Sequence, residues 1–270
     1  MRKKVSIIIP SYKPSDYLWD CLNSFYQQTF PFENFEIVLI LNGCNEPFRT
    51  KINEWLALHP ELCVNFQQTD KGGVSNARNI GIDMAQGEYI GFVDDDDYVS
   101  PSYIEELYSK ASLDTIPLAY AISFFDDSRD RFIPYRKTFC YEKRVTKGRQ
   151  SFNLASTYFS GPVYKLIHRN VIGHRRFPTD FVNGEDTIFN FEISDRFKYV
   201  VFTDKKATYY WRRRKNSAQS NLASFDAKFS RMVRMILRFN RIYFPRFWKY
   251  NFIFYVTRVL STIKSLFLKH

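Results

Sequence analysis

Short runs of apolar residues alternate with amphipathic stretches through the first half of the chain. The runs VSIIIPS and FEIVLIL are almost continuously apolar, as strands buried on both faces of a parallel sheet are. Between them, SDYLWDCLNSFYQQ has apolar residues at helical spacing, which predicts a helix with Ser15 as its N-cap. The alternation continues through LCVNFQQ, GGVSNARNIGIDMAQ and GEYIGFVD. Strands separated by helices of this length predict an α/β fold, with a mostly parallel central sheet flanked by helices.

The pattern becomes less regular after residue 115 and turns basic and helical after residue 222. Residues 227–270 contain ten Lys or Arg and no Asp or Glu, so they carry +10 of the net charge of +11. Four of these arginines recur every three or four residues, which places them on one face of a helix: Arg231, Arg234, Arg238 and Arg241. We therefore predict one domain over residues 1–222, followed by a basic amphipathic helical tail over residues 223–270.

The tail has two interpretations. Basic amphipathic helices rich in Trp, Phe and Leu bind anionic membranes, so the first is a cytoplasmic protein held on the inner face of the cell membrane. The second is that the tail packs on the domain or forms a contact between copies of the chain, because amphipathic stripes usually face a core. The first 226 residues are nearly neutral, which argues against nucleic acid as a partner. The four cysteines show no CxxC spacing and indicate reduced thiols rather than a zinc site.

Four consecutive carboxylates, Asp94–Asp97, follow directly after the apolar run GEYIGFV. They precede a predicted helix with Ser100 as its N-cap and Pro101 at its first position. Because parallel strands of α/β folds end at the ligand crevice, we expect Asp94 and Asp96 to face a ligand there. Carboxylate oxygens bind Mg²⁺ and Mn²⁺, and no Gly-rich phosphate loop follows the first strand. The sequence therefore predicts a divalent metal that bridges the protein and a phosphorylated ligand.

Several blocks of the chain together resemble the family 2 glycosyltransferases, which have the GT-A fold. The blocks are VSIIIPSYKPSDYLWDCLNSFYQQTF, KGGVSNARNIGIDMAQGEYIGFVDDDDYVSP, GPVYKLIHRN and NGEDTIFNFEI, and they cover about residues 4–217. The resemblance implies a nucleotide-sugar half over residues 1–99 and an acceptor half over residues 100–222. It also implies transfer of a sugar, with inversion, from a nucleoside diphosphate sugar to a hydroxyl of a saccharide or lipid-linked saccharide. The resemblance further implies a role in the synthesis of capsule or other surface polysaccharides.

The resemblance assigns roles to single residues of the donor site. Asp96 matches the position that holds the metal, Mn²⁺ or Mg²⁺, on the diphosphate, and Asp94 matches a carboxylate that contacts the ribose. Arg78 matches the arginine of an ARN block near the nucleotide. The other predicted donor-site residues are Pro10, Ser11, Tyr12, Asn42 and Asp95. The family commonly has acids where this chain has Leu41 and Asn42, so the nucleobase is left open, although an amide can hydrogen-bond a base edge.

The resemblance places the general base in NGEDTIF. Asp186 matches the family's base, and Glu185 is the alternative or a partner of the acceptor sugar. The helical pattern alone makes Asp186 a helix N-cap, which needs no catalytic role. Some relatives add a His metal ligand from a C-terminal loop, but the loop here, which begins YYWRRR, has no His. Arg212 and Arg214 are predicted instead to close over the diphosphate, the alternative being a solvated turn.

Two other functions compete with glycosyl transfer. A nucleotidyltransferase also combines acidic residues and a metal on an α/β sheet, but it would release pyrophosphate rather than a nucleoside diphosphate. A non-catalytic basic module that binds membranes would need none of the carboxylates. The acceptor-type block NGEDTIF favours glycosyl transfer over both.

Overall fold

The computed structural model describes residues 3–126, 128–214 and 224–267. Its strands are β1 (Val5–Ser11), β2 (Phe35–Asn42), β3 (Val64–Thr69), β4 (Tyr89–Phe92), β5 (Tyr98–Val99), β6 (Thr115–Leu118), β7 (Tyr120–Phe125), β8 (Ser128–Ile133), β9 (Gln150–Ser151), β10 (Leu166–His168), β11 (Tyr199–Phe202) and β12 (Thr208–Arg213). Its α-helices are α1 (Tyr17–Tyr26), α2 (Phe48–Leu58), α3 (Val74–Met84), α4 (Tyr103–Lys110), α5 (Arg136–Glu142), α6 (Arg169–Ile172), α7 (Glu185–Glu192), α8 (Phe225–Tyr243) and α9 (Phe252–Phe267). Short 3₁₀ helices include Phe152–Ser160 and Phe244–Lys249.

The central sheet has the strand order β10-β4-β1-β2-β3. Its strands are parallel except for β10, which pairs antiparallel with β4. Every residue of β1, β2 and β4 is buried, as their continuous apolar runs require. The predicted α/β fold with a mostly parallel sheet is therefore confirmed, and the carboxyl ends of β1, β2 and β4 lie at one edge.

The second half of the chain adds two smaller sheets, ordered β6-β11-β9 and β5-β12-β7-β8. Strand β12 pairs antiparallel with β5, which follows the carboxylates, and parallel with β7. This pairing brings a strand from late in the chain directly under the carboxylate loop. The sheets are mixed, which explains why the sequence pattern of this half is irregular.

The tail helices α8 and α9 pack against each other and against α7. The ring of Phe191 on α7 lies 5.2 Å from that of Phe239 and 5.9 Å from that of Phe254. Both tail phenylalanines are fully buried and belong to the same hydrophobic core as the central sheet. The predicted boundary at residue 222 lies outside the described residues. Along the described chain, no helix is both long and apolar enough to cross a bilayer.

Three predicted helix caps are wrong. Helix α1 begins at Tyr17 rather than directly after Ser15. Helix α4 begins at Tyr103, and Ser100 instead accepts a hydrogen bond from the backbone N–H of Thr208 at 2.8 Å. Helix α7 begins one residue before Asp186, so this carboxylate lies in the first turn rather than at the N-cap. For Ser100, the contact with β12 replaces the predicted capping bond.

Candidate active site

Predicted donor-site residues lie together at the carboxyl edge of the central sheet. The Asn42 side chain joins the ends of two strands and a loop, because its Nδ2 donates to the Ser11 carbonyl at 2.7 Å and its Oδ1 accepts from Gly73 N at 2.9 Å. Pro10 is buried inside β1, whereas the Tyr12 side chain directly after that strand is 56% exposed. The Tyr12 ring can therefore contact a ligand. The contact of Asn42 with a nucleobase stays a prediction, since these bonds use one donor and one acceptor of its amide.

The four consecutive carboxylates face four different partners, so their side chains diverge. The contacts are Asp94 Oδ1 with Arg78 Nη2 at 3.0 Å, Asp95 Oδ2 with Ser11 Oγ at 2.6 Å, Asp96 Oδ2 with Arg214 Nη2 at 2.7 Å, and Asp97 Oδ2 with Tyr209 Oη at 2.6 Å. Asp97 is buried and also accepts from the backbone N–H of Arg212 at 2.8 Å, so it fastens the carboxylate loop to β12. Divergence and separate partners reduce the repulsion between the four charges.

The surroundings of the two middle carboxylates, Asp95 and Asp96, favour binding of a cation. Burial, together with neighbouring carboxylates, raises the pKa of Asp95 to about 7 and that of Asp96 to about 6. A bound cation would favour their ionised forms. Among the described residues, no three His, Cys, Asp or Glu side chains form a group that could hold a metal alone. Mg²⁺ and related hard cations often take one or two carboxylates together with phosphate oxygens and water, and the oxygens of Asp96 fit that arrangement.

Arg78 on α3 connects the donor carboxylates to the predicted base. Its side chain is only 5% exposed, and its Nη1 lies 2.6 Å from Asp186 Oδ1 while its Nη2 lies 3.0 Å from Asp94 Oδ1. Glu185 Oε1 lies 3.6 Å from Nη1. The Phe177 ring lies 5.4 Å from the guanidinium and holds it in place. One guanidinium therefore brings residues from two distant parts of the chain into a single site.

The two acids at the start of α7 are shielded from water to different degrees, since the side chain of Glu185 is 8% exposed and that of Asp186 is 22% exposed. Burial, together with the adjacent Asp186 carboxylate, raises the pKa of Glu185 to about 8. Burial also raises the pKa of Asp186, although the positive charge of Arg78 opposes this shift. Glu185 therefore keeps its proton to a higher pH than a free carboxyl does, while Asp186 lies beside a cation that favours its ionised form. The role of Asp186 as the general base stays a prediction.

The two predicted diphosphate-closing arginines have different surroundings. The side chain of Arg212 is completely buried, and its two terminal nitrogens contact Asp20 at 2.7 Å and Asp126 at 2.5 Å. Its Nε donates to the backbone carbonyl of Asp96 at 2.7 Å, which fixes the backbone of the carboxylate loop. The side chain of Arg214 is 41% exposed and lies against Asp96. Of the two, Arg214 is the one placed to reach a ligand.

Two lysines near the site were not found by sequence reasoning. Lys165 is fully buried, and its ammonium donates to the backbone carbonyls of Tyr158 at 2.9 Å and Gly161 at 2.6 Å. Burial lowers the pKa of Lys137 to about 8, and its ammonium lies 4.8 Å from the centre of the Tyr164 ring. A Lys inside an apolar segment such as GPVYKLIH was the available signal for Lys165, because Lys is rarely buried without a reason.

Comparison with known proteins agrees with the resemblance to family 2 glycosyltransferases. The model of the family described as "Glycosyl transferase family 2" matches residues 6–175. The chain is 29% identical over 255 residues to glycosyltransferase GlyG of Streptococcus pneumoniae, covering 86% of this chain and 78% of GlyG. It is 26% identical to the poly(ribitol-phosphate) β-N-acetylglucosaminyltransferase TarS of Staphylococcus aureus, covering 86% of this chain and 40% of TarS. It spans 62% of the Bacillus subtilis glycosyltransferase EpsJ at 29% identity.

Solved structures show the same fold. The crystal structure of S. aureus TarS 1–349 in complex with UDP-GlcNAc superimposes with a TM-score of 0.71 at 22% identity, over 96% of this chain and 73% of that one. The mannosyltransferase PcManGT from Pyrobaculum calidifontis, in complex with GDP-Man and Mn²⁺, gives a TM-score of 0.58 at 14% identity, over 98% of this chain and 75% of that one. The family match covers more than half of the chain. The chain therefore belongs to glycosyl transferase family 2 and is a glycosyltransferase with a GT-A-like fold.

Proposed function

We propose that the protein transfers a sugar, with inversion, from a nucleoside diphosphate sugar to a hydroxyl of a saccharide acceptor in the synthesis of a surface polysaccharide. The names of the relatives support this substrate class, since TarS is a poly(ribitol-phosphate) glycosyltransferase and is solved with UDP-GlcNAc. The observation that carries the proposal is the position of Arg78 between Asp94 and Asp186. Asp94 and Asp186 share one guanidinium, which supports a single site for donor and acceptor.

The chemical step needs one base and one leaving group. The acceptor hydroxyl oxygen forms a bond to the anomeric carbon while the bond from that carbon to the diphosphate oxygen breaks. The electron pair of the broken bond leaves with the diphosphate, and Asp186 takes the hydroxyl proton. Attack from the face opposite the leaving group inverts the anomeric carbon. Protonated Glu185 beside the base can donate a hydrogen bond to the acceptor or to Asp186.

The donor side handles the negative charge of the diphosphate. Asp96 is the proposed ligand of Mn²⁺ or Mg²⁺, which when bound stabilises the charge that grows on the leaving diphosphate. Arg214 now contacts Asp96. We propose that it turns to the diphosphate when donor and metal bind, because the metal takes its place on Asp96 while the negative diphosphate attracts its charge. Asp95 stays on Ser11 and holds the end of β1 beside the loop.

The reaction products test this function. Incubation with a panel of nucleoside diphosphate sugars and saccharide acceptors should release free nucleoside diphosphate, whereas a nucleotidyltransferase would release pyrophosphate. Asp186→Asn should reduce transfer by about two to four orders of magnitude, the usual contribution of a general base, and should leave donor binding intact.

The matched control is Asp83→Asn, which removes an Asp that is also paired with an Arg but whose side chain is 62% exposed on α3. This variant should transfer sugar normally. Normal transfer by Asp186→Asn would instead show that Asp186 has no role as a base and would make Glu185 the candidate.

A further inference from the structure

The junction between α8 and α9 exposes an unusual amount of apolar surface. We name residues 244–253 the elbow. Its exposed large apolar side chains are Phe244 (59%), Phe247 (57%), Trp248 (68%), Phe252 (63%) and Ile253 (59%). A second row, in which each residue follows the previous one by four, extends along α8 and consists of Phe225, Phe229, Val233 and Leu237. Five bulky apolar side chains within ten residues of a surface turn indicate an interaction site rather than scattered exposure.

The elbow is held in place by buried neighbours. Tyr243 precedes the elbow, Tyr250 lies within it and Phe254 follows it, and each is at most 7% exposed. The Tyr250 hydroxyl donates to the Glu192 carbonyl at 3.0 Å, and the rings of Tyr243 and Tyr255 stack with centroids 4.2 Å apart. The backbone of the elbow is therefore fixed to the domain, and its outward side chains form a preformed surface.

The charge around the elbow is positive. Arg241, Arg246 and Lys249 are exposed on it or directly before it, and residues 227–270 contain no Asp or Glu. Arg246 also lines a cavity of about 750 Å³ together with other arginines of the domain. Glu192 lies near Arg246, while the nearby Asp195 pairs with Arg175, so the three exposed cations of the elbow outnumber the acids left near it.

Two arginines of the predicted row on α8, Arg234 and Arg238, contact the domain instead of solvent. Arg238 Nη2 lies 2.9 Å from Asp180 Oδ2, and Arg234 donates to the Asp180 carbonyl at 2.7 Å. Both guanidinium groups also lie over the Phe181 ring. These two arginines hold the tail on the acceptor half, whereas Arg241, Arg246 and Lys249 are exposed at the elbow.

We propose that the elbow docks on an anionic lipid membrane, with its aromatic side chains in the interface and its cations on the headgroups. Trp and Phe beside Lys and Arg are the residues that interfacial segments use. A second copy of the chain is disfavoured as the occupant. A two-fold contact would place the same patch on both sides, so like charges of the two tails would face each other.

The elbow is connected to the active site through α7. Glu192, whose carbonyl accepts from Tyr250, ends the helix in which Asp186 occupies the first turn, and six residues of helix span roughly 9 Å. Docking through the elbow would therefore hold the base close to the membrane surface. An acceptor carried on a lipid would be presented at that surface.

Vesicle binding of the full chain tests the proposal without donor or acceptor, so its outcome is independent of transfer activity. The protein should sediment with vesicles of phosphatidylglycerol and phosphatidylcholine at low salt, and high salt should release it. Arg246→Gln with Lys249→Gln should weaken binding about 25-fold, since each cation near an anionic surface contributes roughly fivefold. Phe247→Ser with Trp248→Ser should weaken it at least tenfold at every lipid composition that binds.

The controls use an exposed surface outside the tail. Leu58→Ser removes a 77% exposed apolar side chain on α2, and Lys51→Gln removes an exposed cation from the same helix. Both should bind vesicles like the unchanged protein. Absence of vesicle binding at low salt, or full binding by the elbow variants, would overturn the proposal. A dimer that the elbow variants dissociate would assign the surface to a second copy instead. Deleting the tail is unsuitable because it removes Phe239 and Phe254 from the core.

Discussion

Removing the charge of Arg78 should destabilise the protein in a way that depends on pH. Arg78→Met leaves the buried Glu185 and the partly buried Asp186 without their cation. Breaking a buried ion pair on one side costs about 3 to 5 kcal/mol. The third partner, Asp94, has a side chain that is 39% exposed, so water screens its part of the interaction and the lower end applies. A loss of about 3 kcal/mol lowers the melting temperature of a domain of this size by about 6 to 12 °C.

The stability depends on pH because the folded and unfolded states bind the protons of Glu185 and Asp186 with different strength. Burial raises the pKa of Glu185 to about 8 and also raises that of Asp186, whereas in the unfolded chain such groups titrate near pH 4. Without Arg78, the folded state holds these protons still more strongly than the unfolded state. Stability is therefore lost as the pH rises from about 4 through the folded pKa values, and the cost should be larger at pH 8 than at pH 5.

Thermal unfolding at pH 5 and pH 8 measures this prediction, and Arg176→Met is the matched control. Arg176 also pairs with an Asp, but the two side chains are 33% and 62% exposed. Its replacement should cost at most about 1 kcal/mol at either pH, the usual value for an exposed pair. If both variants melt alike at pH 8, or if the loss in Arg78→Met is the same at pH 5, the electrostatic account of this site is refuted.

Three further predictions concern the metal, the second acid and the tail. Asp96→Asn should abolish transfer and the thermal stabilisation by a nucleoside diphosphate with Mn²⁺, and full activity of the unchanged protein in EDTA would contradict this. In a pH–rate profile, kcat/KM should fall above about pH 8 as Glu185 loses its proton, and Glu185→Gln should lose this limb while staying active at pH 6.5. Phe191→Ala should lower the free energy of unfolding in urea by about 3 to 5 kcal/mol, because the buried ring contacts both tail helices. A loss below 1 kcal/mol would show that the tail packs independently of α7.

The sequence by itself determined the order of strands and helices in the first half and the place of the carboxylates. Burial on both faces of a parallel strand requires a continuous apolar run, so β1, β2 and β4 are visible without any knowledge of the fold. Asp94–Asp97 follow such a run, and strand ends are where α/β folds bind ligands. These signals are local, because they depend on neighbours within a few residues.

Only the tertiary structure decided which of these residues work together. Asp186 reaches Arg78 from 108 positions away in the chain, and the partner of each carboxylate depends on such distant approaches. Arg212 and Arg214 look alike in sequence, but one is buried between two acids of other segments and the other is exposed. In the tail, helical spacing predicts an amphipathic pattern without saying which face the domain covers. Packing on α7 buries Phe239 and Phe254 and leaves Phe247 and Trp248 exposed, since burial is set by contacts between segments that are far apart in sequence.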